Sequence, residues 1–173
     1  MVSDLPITRP ITRPGVDPYS ATHKPPLPGT DYATWTDRGL TIERDYDASA
    51  PEFRGDKEQL IQAVLNIVHN AAQALSERIA REDATIKLQT RAVRQVTIAK
   101  QRHRLALELH VVDNGPGIPE EIKDRLFSPL VSGRDGGSGL GLNLAQTFVQ
   151  QHKGLIECDS EPGRTDFKLM IPL

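Results

Sequence analysis

The chain has 173 residues, with 21 lysines and arginines against 23 aspartates and glutamates, a formal charge of −2. That length allows one domain with a real hydrophobic core, and the near-neutral balance gives no electrostatic footprint for nucleic acid or an anionic membrane. No apolar run is long enough to span a bilayer, the start MVSDLPITRP lacks the charged-then-apolar order of a secretory signal, and the single cysteine, Cys158, excludes an internal disulfide and a zinc cluster, so a soluble cytoplasmic protein is expected.

Seven of the 13 prolines fall within residues 1–28, in ITRPITRP (Ile7 to Pro14) and HKPPLPG (His23 to Gly29) among others. Such a stretch sustains neither a helix nor a central strand. Residues 1–36 read as a proline-rich, extended or disordered tail, of a composition that proline-reading domains also bind. A globular domain is expected over 37–173. Leu40, Ile42 and Asp45-Tyr46 pattern as a short strand, broken by Pro51. Asp56 stands as an N-cap with Gln59 three residues on, a capping-box arrangement. The spacing of Leu60, Val64, Ile67, Val68, Ala71, Leu75 and Ile79 then predicts a long helix over 57–80. Residues 85–97 and 104–112 predict a hairpin joined by the polar turn 99–103. Pro119 suits the first position of a short helix over 120–126. A glycine-rich loop over 128–138 leads into a second long helix, 139–152, with Gly154 as its C-terminal cap. Strands over 155–160 and 165–171 flank the turn Glu161-Pro162-Gly163. Helices and strands come in blocks, which predicts an α+β fold with a mixed sheet and helices on one face.

Three segments carry chemistry. On the long helix Asn66 and Asn70 stand four apart, with Gln73 three further on, along a side distinct from the apolar stripe. An asparagine oxygen can ligate Mg²⁺, a hard cation that keeps phosphate oxygens in its shell. Read alone, the same spacing describes a solvated polar face. Second, Asp113-Asn114-Gly115-Pro116-Gly117 comes directly off a strand. Its glycines permit close ligand approach, and a carboxylate at a strand end can accept the amino hydrogen of a purine. Read alone, it is also an ordinary turn. Third, five of the ten residues from Gly133 to Leu142 are glycine, and a helix starts inside the run. Free backbone N–H groups at a helix N-terminus form an anion site, to which Arg134, Ser132 and Ser138 add further donors. The run is neither a Walker loop nor a dinucleotide fingerprint, because no Gly-Lys-Ser/Thr follows and no strand leads in.

Taken in this order and with these separations, the segments resemble the N box (Asn66 to Asn70), G1 box (Asp113 to Gly117), F box (Phe127) and G2 box (Gly137 to Gly141) of the ATP-binding fold shared by histidine kinases, gyrase, Hsp90 and MutL. LNIVHNAAQAL, VVDNGPGIP, LFSPLVSGRDGGSGLGL, QHKG and EPGRTDF are most similar to sensor kinases of the nitrogen-regulation (NtrB) type, over roughly residues 43–173. The resemblance implies a Bergerat two-layer α/β sandwich with a glycine-rich ATP lid. It implies that Asn70 holds Mg²⁺ against the phosphates with Asn66 beside it in the same wall, both as the catalytic pair, and that Gln73 belongs to the nucleotide-binding set. Asp113 would accept from the adenine amino group, Gly115 and Gly117 would let the backbone approach the base, and Phe127 would anchor the lid. Arg134, Gly137, Ser138, Gly139, Leu140 and Gly141 would surround the phosphates, and Leu142 would begin the supporting helix.

The phosphoacceptor box of such kinases has no counterpart at His23, His69, His103, His110 or His152. His110 reads as structural and His152 as a helix-end cation favourable to the dipole. The resemblance therefore implies an ATP-binding catalytic domain, from a shortened or rearranged relative or as the domain alone, acting on a histidine supplied by another domain or chain. ATP, ADP and Mg²⁺ are the ligands this implies. A histidine-bearing phosphotransfer domain or sensor kinase dimer partner, a response regulator and a PII-type regulator are the partners. The alternatives are a nucleotide-gated interaction module and a serine kinase of the anti-sigma type.

Overall fold

The computed structural model describes residues 39–128 and 141–173. The tail 1–36, the boundary expected at its end, and Ser132, Arg134, Gly137, Ser138, Gly139 and Leu140 lie outside the described residues. In chain order the described residues form β1 (Leu40–Asp45), α1 (Lys57–Ala74), α2 (Ser76–Ala80), β2 (Ala84–Ile98), β3 (Gln101–Asp113), α3 (Glu120–Lys123), α4 (Gly141–Gln151), β4 (Leu155–Glu161) and β5 (Arg164–Pro172). The strands make one sheet in the order β1-β2-β3-β5-β4. β1 runs parallel to β2 and every other pairing is antiparallel. α1 and α4 pack side by side against one face of this sheet, which is the expected α+β sandwich with a mixed sheet.

The core follows from two periodicities. α1 contributes Ala63, Ile67, Val68, Ala71 and the following Leu75; α4 contributes Ala145 and Val149; Ile86, Val111, Phe167 and Leu169 rise from the sheet to meet them. Met170, next to Leu169, faces the other side of the sheet, where it closes a second small cluster with Ile98 and Ala106 from the β2–β3 hairpin. Val64, near the start of the α1 stripe, packs against the edge of the main core, and Leu60 lies one turn before it. With Tyr46, Ile61, Leu88, Thr90 and Leu109 they line an apolar hollow of about 370 Å³. Among the described residues, no helix is long and apolar enough to cross a membrane.

The structure revises several sequence expectations. The long helix does not run unbroken to Ala80. Leu75 adopts φ −94°, ψ 8°, and its N–H bonds the Ala72 carbonyl, so the last turn tightens and the chain restarts as α2. This turn buries the Leu75 side chain completely, a gain the helical period does not report. Pro119 is the N-cap rather than the first helical residue, with ψ 139°, and α3 ends at Lys123, not at 126. The hairpin turn is shorter than 99–103: Ile98 pairs with Gln101, leaving only Ala99 and Lys100, both at positive φ, the arrangement that matches strand twist in a two-residue loop.

At the end of α4 the left-handed residue is Lys153 (φ 58°), not Gly154. The Lys153 N–H bonds Gln150 and the Gly154 N–H bonds Val149, the paired bonds of a Schellman cap. Gly154 is glycine for space, because a β-carbon there would run into the Met170 carbonyl and lie 2.8 Å from Val149 Cγ1.

Candidate functional site

Asp113 is the last residue of β3 and is 3% exposed, a carboxylate taken almost wholly out of water. Burial of that kind is unfavourable unless the oxygens find donors. One donor is the Gly115 N–H, which reaches Asp113 Oδ1 at 2.9 Å. The loop curls back so tightly that a β-carbon on residue 115 would stand 2.7 Å from the same oxygen. Gly117 is at φ +88°, and a β-carbon there would lie 2.9 Å from the Glu161 carbonyl oxygen. Both glycines are therefore required by the loop itself.

Neighbouring elements fix this loop. Asn114 accepts the Thr85 N–H at 2.9 Å and donates to the Asp83 carbonyl at 2.8 Å, bolting the loop to the start of β2. The Gly163 N–H donates to the Gly115 carbonyl at 2.9 Å, and the Ile118 N–H donates to Ser160 Oγ at 2.8 Å. Beside Asp113 in the sheet register stands Thr165 on β5, 4% exposed, with its hydroxyl 2.8 Å from Ser160 Oγ. Sequence reasoning missed Thr165 and Asn114 as site-forming residues. The available signal for Thr165 was only its place at the start of a strand, just after the Pro162-Gly163 turn.

On α1, Asn66, Asn70 and Ala74 share one stripe at a spacing of four. Its far end abuts the loop: Ala74 Cβ is 3.6 Å and Leu75 Cδ2 3.5 Å from where a Gly115 β-carbon would be. Its near end meets α4: Asn66 Nδ2 donates to the Gly141 carbonyl at 3.1 Å, while Asn66 Oδ1 accepts from Gln62 at 2.8 Å. Asn70, half-buried, thus sits between the Asp113–Gly117 loop and the start of α4. Gln73 is exposed on the same helix.

Phe127 packs its ring edge-on against the buried Phe167, centroids 6.3 Å apart at 86°. Its carbonyl accepts from Asn143 Nδ2 on α4 at 3.1 Å. Leu142 is half-buried and packs against the main core. Asn66, Asn70, Asp113, Gly115, Gly117, Phe127 and Gly141 therefore lie along one rim formed by α1, the end of β3 and the start of α4.

The histidines take other roles. His110 Nδ1 is 3.0 Å from the Asp166 carboxylate, which Arg164 also pairs at 3.1 Å, a structural cluster on the face away from the helices. His152, expected as a cation at a helix end, spends both ring nitrogens on backbone groups, Nδ1 on the Phe148 carbonyl and Nε2 on the Asp56 N–H, each at 2.8 Å. Cys158 is half-buried on β4, and burial pushes its thiol up to about 12, so it is protonated and unreactive at neutral pH.

Among the described residues, no group of three His, Cys, Asp or Glu side chains could cage a metal ion.

The family model for histidine kinase-, DNA gyrase B- and HSP90-like ATPases matches residues 55–173. The chain belongs to this family. ATP binding by the domain follows from that membership. Over 136 residues it is 49% identical to the sensory histidine kinase/phosphatase NtrB of Vibrio alginolyticus, covering 79% of this chain and 38% of that one. It is 50% identical to the NtrB of Salmonella typhimurium over 134 residues, covering 78% and 37%. The chain thus spans little more than a third of the curated relatives it matches. Its fold is that of solved kinase domains: the catalytic domain of histidine kinase ThkA superposes with a TM-score of 0.66 at 23% identity, covering 82% of this chain and 84% of that one. The mycobacterial sensor histidine kinase MprB gives 0.63 at 23%, covering 82% and 89%.

Proposed function

We propose that this ATPase-family domain binds ATP as its Mg²⁺ complex along the Asp113–Asn70–Gly141 rim and presents the γ-phosphate to a histidine on another domain or chain. The observation that carries the reading is the pairing of a buried carboxylate with a backbone cradle. The Gly115 N–H holds Asp113 Oδ1, and a β-carbon on residue 115 would crowd that same oxygen. A carboxylate at this strand end can accept from a purine amino group, and Gly115 and Gly117 let the loop fold closely around it.

Asn70 would contribute its amide oxygen to Mg²⁺, and the residues from Arg134 to Gly141 would surround the phosphates. Bound there, the metal neutralises charge on the phosphate oxygens. The protein's part is positioning. Asn66, locked by Gln62 and Gly141, keeps α1 and α4 at a fixed spacing, so Asn70 meets the phosphates without searching. In the transfer the bond from the γ-phosphorus to the ADP oxygen breaks as a bond to the incoming histidine nitrogen forms. None of the chain's own five histidines stands in a phosphoacceptor box, so the nucleophile comes from elsewhere. The similarity to NtrB sensor kinases supports a phosphotransfer domain, a response regulator and a PII-type regulator as partners, and a cytoplasmic setting. ThkA, of the same fold, has been solved in complex with the response regulator TrrA.

The test mixes this chain, Mg²⁺ and radiolabelled ATP with an isolated histidine hairpin from an NtrB-type kinase. Label on the hairpin supports the proposal. Nucleotide binding without transfer would reduce the chain to a nucleotide-dependent interaction module.

A further inference from the structure

We infer that Asn114, to which the resemblance assigns no contact with nucleotide, is a positioning residue for recognition of the purine base; the inference rests on the nucleotide reading proposed above. β3 pairs with β2 as far as Asp113 opposite Ile86, so the next pair in register is Asn114 opposite Thr85. In an antiparallel sheet such a pair exchanges two backbone bonds. The Asn114 N–H makes the first, donating to the Thr85 carbonyl at 3.3 Å. For the second, the acceptor comes from the side chain: the Thr85 N–H donates to Asn114 Oδ1 at 2.9 Å.

A side-chain acceptor on this last rung frees the backbone after Asp113 to leave the sheet at once. The chain turns so sharply that the Gly115 N–H reaches Asp113 Oδ1 at 2.9 Å, two residues back. The other end of the Asn114 amide fixes the turn in place, Nδ2 donating to the Asp83 carbonyl at 2.8 Å. Asp83 is itself held, its N–H on the Arg78 carbonyl at 3.1 Å and its carboxylate on the Arg78 guanidinium at 2.9 Å. Asn114 therefore joins the loop to β2 and, through Asp83, to α2. A carboxylate that must meet one amino group of a base gains from being held in place before the base arrives. Asn114 acts on the base through Asp113, without touching it.

Asn114→Ala removes both side-chain bonds. Asn114→Asp keeps the acceptor for Thr85 but sets a carboxylate oxygen against the Asp83 carbonyl oxygen, and it carries the test should the alanine variant not fold. The readout is the ratio of the dissociation constants for GTP and ATP. Partial unfolding weakens both nucleotides by the same factor, since apparent affinity scales with the competent fraction, and an added charge acts alike on two triphosphates. Neither moves the ratio. Displacement of Asp113 does, because adenine offers an amino group where guanine carries a carbonyl oxygen.

The test measures Mg·ATP and Mg·GTP binding by calorimetry on the full 173-residue chain, on both Asn114 variants, and on Asp113→Asn with and without Asn114→Ala. The expected result is a ratio lowered roughly threefold to fivefold in both Asn114 variants, the scale of one neutral hydrogen bond. In the double variant the ratio falls no further than in Asp113→Asn alone, as for two residues that act on one contact. A wild-type ratio in a folded Asn114 variant overturns the inference, and so does a double variant in which the two losses multiply. A wild-type chain that binds neither nucleotide, or both equally, is a different outcome, which overturns the nucleotide reading beneath it.

Discussion

His152 Nε2 accepts the backbone N–H of Asp56 at 2.8 Å, so the last residue before the α4 cap supports the N-cap of α1 across 96 positions. The capping box expected from Asp56 and Gln59 is in this way completed by a different residue. Asp56 Oδ1 does cap the Gln59 N–H at 3.0 Å, but the return bond to the Asp56 N–H comes from the imidazole. Because Nδ1 faces the Phe148 carbonyl, the ring is held as the neutral tautomer with its proton on Nδ1. His152→Ala leaves both backbone groups without this partner. A loss of about 1–2 kcal/mol in stability is expected from two hydrogen bonds, read as a lower urea midpoint with unchanged slope. An unchanged midpoint would show that water replaces the ring without loss.

Asp113→Asn retains an oxygen for the Gly115 N–H but gives up the charge and half of the acceptor capacity. ATP preference over GTP is expected to fall about tenfold, the scale of one charge-assisted hydrogen bond, while the protein stays folded. Competition binding with the two nucleotides checks this. An unchanged preference would remove Asp113 from the recognition of the base.

Gly154→Ala tests packing away from the site. The added methyl meets the Met170 carbonyl and Val149 Cγ1, and neither can withdraw without moving β5 or α4. Overpacking of this kind costs about 1–3 kcal/mol, expected as a lower denaturation midpoint with nucleotide affinity unchanged in the folded protein.

How far the sequence announced these features depends on the range over which each is determined. Apolar spacing placed α1 and α4, and the Pro162-Gly163 turn placed the β4–β5 hairpin, because those signals are local. The break at Leu75 was not legible, since what redirects the helix there is burial beside the Gly115 loop, a contact 40 residues away in sequence. His152 as the support of Asp56, and Asn143 as the support of Phe127, were hidden for the same reason. Asp113, Gly115 and Gly117 were legible because a short loop carries both the carboxylate and the glycines that fold around it.

Acid sensitivity should trace in part to the end of β1. Arg91, and after it Gln89, hold the Asp45 carboxyl down to about 2, against an ordinary value of 3.8. A carboxyl lowered in the folded state contributes stability that is complete above its unfolded value and is lost as pH falls toward the folded one. Asp45→Asn is therefore expected to flatten the loss of stability between about pH 4 and about pH 2. The same acid slope in the variant as in the wild type would contradict the role of this pair.

The central claim is that a purine triphosphate and its Mg²⁺ lie along α1 between Asp113 and Gly141, with Asn70 at the metal. Its most direct test is calorimetric titration of the chain with ATP, with and without Mg²⁺, on the wild type and Asn70→Ala. The account predicts that Mg²⁺ tightens ATP binding to the wild type, and that Asn70→Ala loses this tightening while its melting temperature stays close to the wild type's. Equal gains from Mg²⁺ in both proteins, or a variant that unfolds as a core substitution would, would contradict it.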